Sequence, residues 1–202
     1  MTRKKAPEIR KEEIFNAALT CFNKKGYYET SIDDIAVHAG ISKGGIYHHF
    51  SSKKKLFIAL FNTVANRYFE SLKEAVHENI DPLAELKDLV RKSDEVFYQN
   101  YDILKYCLEF IMLGTRDSEI RAEVTGFYRN RLNIFNKKLT EGINSGVYKE
   151  ISVTDVARTL YFLSMGFFLT FFTVDIDFDP MAQHAINMQT VIDGIRNVKQ
   201  RA

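Results

Sequence analysis

The sequence predicts an all-α protein. Apolar residues recur at i, i+3, i+4 and i+7 through most of its 202 residues, and no run alternates as a convincing strand. Only 3 Pro and 10 Gly interrupt that pattern. A hydrophobic share of 46% with 16 Phe allows a sizeable core in one or two domains.

About nine helices are expected. The first runs over 7–25, with Ile14, Ala18 and Phe22 as its core stripe. Lys24, Lys25 and Gly26 end it with favourable charge and a C-cap. Residues 30–56 then encode two short helices joined by a Gly turn. Thr30 or Ser31 caps the first of these, with Asp33 or Asp34 three residues on. Ile32, Ile35, Ala36 and Ala39 form one buried stripe, and Gly40 stops the helix where a positive φ is needed. Ser42 caps the next helix. Ile46 and Phe50 lie four apart and point inward, which turns Gly44, Tyr47 and His48 outward.

Gly44 and Gly45 cost a helix about 1 kcal/mol each against Ala, so local stability does not explain them. They fit a backbone that must come close to something, such as a phosphate or a base edge. Ser52 caps a further helix whose first turn holds Lys53, Lys54 and Lys55. Cations there oppose the helix dipole, a conflict that an external phosphate would resolve. Each feature alone has a plain reading: a Gly-Gly turn, a solvated lysine run, a Tyr47 at the edge of a core, and structural or surface roles for His38 and His49. Their joint spacing is that of a helix-turn-helix, and points to DNA.

The helix from Ser52 is expected to reach about residue 79, stopped by Asp81-Pro82, and to act as a rigid rod. Further helices are expected over 83–99, 101–114, 117–145, 153–174 and 180–199, with breaks at Gly142, Gly146 and Pro180. From 160 onward the helix over 153–174 is apolar nearly all round, so both of its sides need cover. One side suits its own domain. The other suits a second subunit, together with the helix over 180–199 that carries Ala185, Met188, Val191, Ile192 and Ile195.

The aromatic residues Phe97, Tyr98, Tyr101, Tyr106, Phe110, Tyr128, Phe135 and Phe168 lie on helices of this second region. They are candidates to line a pocket for a small, largely apolar or aromatic effector, against the plain alternative that they are core. Arg116, Arg129 and Arg131 are candidates for an anionic headgroup, against a default surface location.

Charge is uneven. Residues 1–55 hold 11 Lys+Arg against 6 Asp+Glu, and residues 56–202 hold 17 against 20. The basic end coincides with the proposed reading head. Arg3-Lys4-Lys5 suits either an arm on DNA or a solubilising tail. Cys21 and Cys107 are far apart and lack metal spacing, so buried free thiols are expected. There is no metal cluster, nucleophile elbow or phosphate loop, and adjacent His48-His49 diverge on a helix. An enzyme is therefore not expected, nor is a cofactor or metal. No N-terminal stretch reads as a signal peptide and no run of about 18 uncharged apolar residues reads as a membrane span, so the cytoplasm is the expected location.

Residues 9–60 resemble the DNA-binding domain of the TetR family of bacterial transcriptional regulators. The residues that carry the resemblance are Ile14, Ala17-Ala18, Phe22, Gly26-Tyr27, Thr30, Ile35-Ala36, Ala39-Gly40-Ile41-Ser42, Gly44, Tyr47, Phe50, Lys53 and Leu56. The acid often seen after the lysine is Lys54 here. The resemblance implies a helix-turn-helix domain over 1–55, and an effector-binding and dimerisation domain over 56–202. It implies a homodimer on a palindromic double-stranded DNA operator, joined by a four-helix interface from the last two helices. Its third helix would enter the major groove, with Thr30, Ser42, Lys43, Gly44, Tyr47, His48 and Lys53 facing DNA. Tyr47, His48 and Lys53 would meet phosphates, while Lys43 and Gly44 would lie near base edges. The resemblance also implies repression. The alternative is a ligand-independent or architectural DNA-binding protein whose C-terminal part only dimerises.

Overall fold

Short-range hydrogen bonds set most of the helix boundaries. Ser31, Ser42 and Ser52 each accept a backbone N–H from the first turn of the helix that follows, and so do Asn100, Ser152 and Asp179. Each removes one orphan donor from a helix start. A computed structural model describes residues 7–74, 81–98 and 100–197. The described residues form α1 (Pro7–Glu29), α2 (Ile32–Ala39), α3 (Lys43–His49), α4 (Lys53–Glu74), α5 (Pro82–Tyr98), α6 (Tyr101–Leu113), α7 (Ser118–Asn144), α8 (Val153–Thr173) and α9 (Pro180–Ile195). The all-α expectation holds. Extended pairing among the described residues is a single antiparallel bridge between Tyr148 and Arg196. Arg3-Lys4-Lys5 and the expected helix ends near 79 and 199 lie outside the described residues.

Two glycines do the work assigned to them. Gly26 has φ 78° and ψ 167°, so the helical path of α1 breaks there before a last short turn. Gly40 has φ 63° and ψ 35°, the left-handed cap between α2 and α3.

The chain packs as two compact units. The first comprises Met1–Arg67 and Phe97–Val124. Its core is aromatic: Phe22, Phe57, Tyr106 and Phe110 are all buried. The rings of Phe57 and Tyr106 meet edge-on at 5.0 Å, and Phe61 stacks flat on Phe110 at 3.9 Å. Each such buried ring contributes roughly 2–3 kcal/mol of hydrophobic stabilisation. Polar contacts fasten α6 to the end of α1. Asn23 donates to the Asp102 carbonyl at 2.8 Å, Lys105 to the Asn23 carbonyl at 2.9 Å, and the Tyr27 N–H to Glu109 Oε1 at 2.5 Å.

The second unit comprises Tyr68–Val96 and Thr125–Ala202. In it α8 packs on α9, with Ala157, Leu160, Ser164 and Phe168 buried on one and His184, Met188, Ile192 and Ile195 on the other. Met188, Ile192 and Ile195 were expected to face a second subunit, but they are committed to this unit's own core. By length and composition α8 is also large enough to cross a membrane. Asp155 and Arg158 fall in its first turns, so its uncharged run is shorter than the ~18 residues expected of a span. These packing units follow contacts, not the division by role expected at 55/56.

Candidate nucleic-acid interface

The α2–turn–α3 segment presents one side of α3 outward. Ser31 accepts the Asp34 N–H at 3.1 Å, and Asp34 accepts the Ser31 N–H at 2.8 Å. That reciprocal pair selects Ser31 and Asp34 from the residues the sequence offered. Ser31→Ala should therefore cost about 1 kcal/mol in a urea melt, as N-cap losses do. Past Gly40, Ser42 accepts the Gly45 N–H at 3.1 Å and starts α3. Ile46 and Phe50 are buried, and the Phe50 ring meets Phe15 on α1 at 5.5 Å. Helical geometry then leaves Tyr47 47% exposed and His48 exposed beside it.

Five of the seven expected DNA-facing residues lie on this exposed surface: Ser42, Lys43, Gly44, Tyr47 and His48. Lys43 meets Asp33 at 2.7 Å, an exposed pair of little net worth that a phosphate can displace. A Cβ on Gly44 would meet only the Ser42 hydroxyl, at 3.9 Å. Intramolecular packing therefore does not require glycine there. Gly44→Ala should raise thermal stability, by up to about 1 kcal/mol from helix propensity, while weakening DNA binding. Equal DNA affinity for the two proteins in a fluorescence titration would remove Gly44 from the interface.

Thr30 and Lys53 depart from expectation. Thr30 is buried, and its hydroxyl donates to the carbonyls of Gly26 at 2.7 Å and Cys21 at 3.1 Å. It ties the α1 end to the start of α2. The Lys53 ammonium donates to the carbonyls of Tyr27 at 2.6 Å, Thr30 at 2.7 Å and Tyr28 at 3.1 Å, and lies 4.6 Å from the Tyr27 ring centroid. Burial pulls its pKa below the ordinary lysine value. The conflict between Lys53 and its own helix dipole is met within the chain, by carbonyl oxygens at and just past the end of α1.

The rest of the lysine run is also paired. Lys54 meets Asp117 at 3.1 Å and Glu119 at 3.0 Å, and Lys55 meets Glu119. Asp117 caps α7 by accepting the N–H groups of Glu119 and Ile120. The Ile120 N–H, then Lys54, holds the Asp117 carboxyl below the usual range, while Lys55 and then Lys54 do the same for Glu119. Asp34 is held lower still, by Lys25 first and then by Ser31. All three pKa values are lower in the folded state. Their stabilisation is therefore complete above the ordinary carboxylate range near about 4, and drains away as pH falls through the folded values. Melting temperature should fall between about pH 5 and 3, and less steeply in Asp34→Asn than in the parent. Identical slopes would show that Asp34 carries none of it.

The eight aromatic effector candidates are distributed over both units. In the first, Tyr106 and Phe110 are core and Tyr101 is exposed. The second holds Tyr128, Phe135 and Phe168. The side chains of Phe97 and Tyr98 lie outside the described residues. In the second unit the Tyr128 ring meets Tyr161 edge-on at 4.8 Å. Arg116 and Arg129 are exposed as expected, but Arg131 is 3% exposed, beside the rings of Tyr68, Phe135 and Tyr161. Tyr68, Tyr161 and Ser164, which line its surroundings, were not singled out from sequence. One signal was legible. On α7, Tyr128, Arg131, Phe135 and Lys138 share a face, so two cations seven residues apart sit on an apolar stripe.

Residues 14–60 match the family model described as bacterial regulatory proteins, tetR family. Over 186 residues the chain is 25% identical to the fatty acid metabolism regulator protein of Bacillus subtilis, covering 92% of this chain and 95% of that protein. It is similar to a TetR transcription regulator from Haloarcula marismortui, with a TM-score of 0.85 at 19% identity over 94% of this chain and 100% of that one. It is also similar to the transcriptional regulator FadR from Bacillus subtilis in complex with stearoyl-CoA, with a TM-score of 0.78 at 24% identity over 92% of this chain and 99% of that one. At these identities the two solved structures speak to the fold.

Proposed function

The chain belongs to the TetR family of bacterial transcriptional regulators, and from that premise we propose that it acts as a homodimeric repressor released by a largely apolar effector. The observation that carries the reading is the exposed side of α3, where Lys43, Gly44, Tyr47 and His48 stand clear while Ile46 and Phe50 anchor the helix. Lys43 and Gly44 would read base edges, and Ser42, Tyr47 and His48 would hold phosphates. Thr30 and Lys53 support this surface from behind.

Dimerisation supplies the second reading head. On α8, Phe162 is 61% exposed, Leu169 is 48% exposed and Gly166 lies between them; on α9, Ile186 is 58% exposed between Ala182 and Thr190. These outward stripes on two packed helices suit a four-helix seam with a second copy. The heads must then lie roughly 34–36 Å apart to occupy successive major grooves. An effector that favours another spacing shifts the population off DNA through its differential affinity. The stearoyl-CoA bound by the Bacillus subtilis relative supports an effector with a long apolar part.

The test is binding of the purified protein to its own upstream region against random DNA of equal length, in the cytoplasmic salt range. Sequence-selective binding by a dimer is expected. A dimer with no sequence preference would overturn the specific-regulator reading and leave the architectural one.

A further inference from the structure

We propose that Arg131 is the anchor for a single carboxylate on the effector, which makes that effector an apolar monocarboxylate. This rests on the effector-responsive reading above and specifies the ligand's chemistry. Arg131 is 3% exposed in the second unit. Its Nη2 donates to Ser164 Oγ at 2.9 Å. Its Nε and Nη1 are buried and have no acceptor among the described residues. Around the guanidinium stand the rings of Tyr161 at 5.5 Å, Phe135 at 5.8 Å and Tyr68 at 6.0 Å. Ring faces attract a cation, but they do not accept its N–H groups as an oxygen does.

Arginine cannot shed its charge to escape this cost. A buried cation without an anionic partner is among the more expensive arrangements a core can hold. Lys138, seven residues further along the same helix face, shows the usual remedy. It is buried too, but it meets Glu85 at 2.6 Å and Glu141 at 2.8 Å. Among the described residues, the core around Arg131 provides one hydroxyl and three rings and no carboxylate. Such local expense without structural return is the mark of a group kept for a ligand.

The surroundings define the ligand. One uncompensated positive charge matches one negative charge, and a phosphate dianion would leave a net buried charge. Aromatic walls match an apolar body. The Arg131 nitrogens are closed off from solvent, so the carboxylate enters as the half-buried Tyr161 ring gives way beside Tyr128. Pairing with Arg131 then favours the opened arrangement over the closed one, which is the differential affinity a release mechanism requires.

The test uses the full chain and four probes: dodecanoate and 2-naphthoate, each with its uncharged counterpart, 1-dodecanol and 2-naphthalenemethanol. Titration calorimetry should show at least one carboxylate binding about thirtyfold or more tightly than its alcohol. Arg131→Met should abolish that preference, melt no lower than the parent and still bind operator DNA. Arg131→Lys should lose about tenfold in carboxylate affinity with alcohol binding unchanged, and it carries the test if Arg131→Met does not fold. Equal binding of acid and alcohol, binding of neither acid, or a carboxylate preference that survives both substitutions would each overturn the proposal. Dodecanoyl-CoA separates this from the regulator reading. If it releases DNA equally well from the parent and from Arg131→Met while the acids fail, the effector-responsive regulator stands and the carboxylate anchor falls.

Discussion

Replacing Gly142 with alanine is expected to destabilise the second unit by about 3 kcal/mol or more. A Cβ at that position would lie 2.0 and 2.1 Å from two ring carbons of Tyr148, well inside the ~3.5 Å separation of carbon atoms in contact. The ring has no easy retreat. Tyr148 is buried, its hydroxyl donates to the Pro82 carbonyl at 2.8 Å, and its N–H donates to the Gly142 carbonyl at 3.1 Å. Its neighbours are tied as well, with Lys149 N–H donating to the Ile195 carbonyl and Asn197 N–H to the Val147 carbonyl, both at 2.9 Å. On an open helix face the same substitution would stabilise by about 1 kcal/mol, so the sign of the effect is diagnostic. Urea unfolding of Gly142→Ala, Tyr148→Ala and the double variant closes the cycle. The double variant should be at least as stable as Tyr148→Ala alone, because the clash goes with the ring. A Gly142→Ala protein as stable as the parent would mean that the 146–149 segment moves aside freely.

What could be read from sequence divides by the range of the interaction. The caps at Ser31, Ser42 and Ser52 and the left-handed turn at Gly40 involve residues three or four apart, and all were legible. So was the face of α3, because Ile46 and Phe50 fix it by helical period alone. The inward partners of Lys53 were not legible, because its three acceptors lie 23 to 26 residues upstream. A string of lysines does not reveal that one of them folds back. Gly142 was read as a break, yet it lies inside α7 and is small to admit a ring from beyond the next turn. Arg131 was the hardest. Its hydroxyl partner is 33 residues away, and the one local sign was its place on the apolar face of α7. On α8 the all-round apolar pattern demanded two covers; α9 supplies one, and which residues face it needed the position of α9.

Lys53→Met should lower the stability of the first unit by about 2–3 kcal/mol, and leave the salt dependence of DNA binding nearly unchanged. Methionine keeps the apolar stem and removes the ammonium. The carbonyls of Tyr27, Tyr28 and Thr30 then lose a charged donor, and a charge-assisted hydrogen bond to partly buried acceptors is worth about that much. Those carbonyls end α1, and the Thr30 residue that carries one of them also opens the path into α2, so the loss falls on the support of the reading helix. DNA affinity should drop because fewer molecules hold α3 in place. A lysine on a phosphate behaves differently: its removal lowers the slope of log affinity against log salt by about one unit. Thermal unfolding and titrations at four salt concentrations separate the two roles. An unchanged melting temperature with a slope lowered by one would return Lys53 to the phosphate contacts. A lowered melting temperature with an unchanged slope is the expected result, and it would make this lysine the strut between α1 and α4 on which the α3 surface depends.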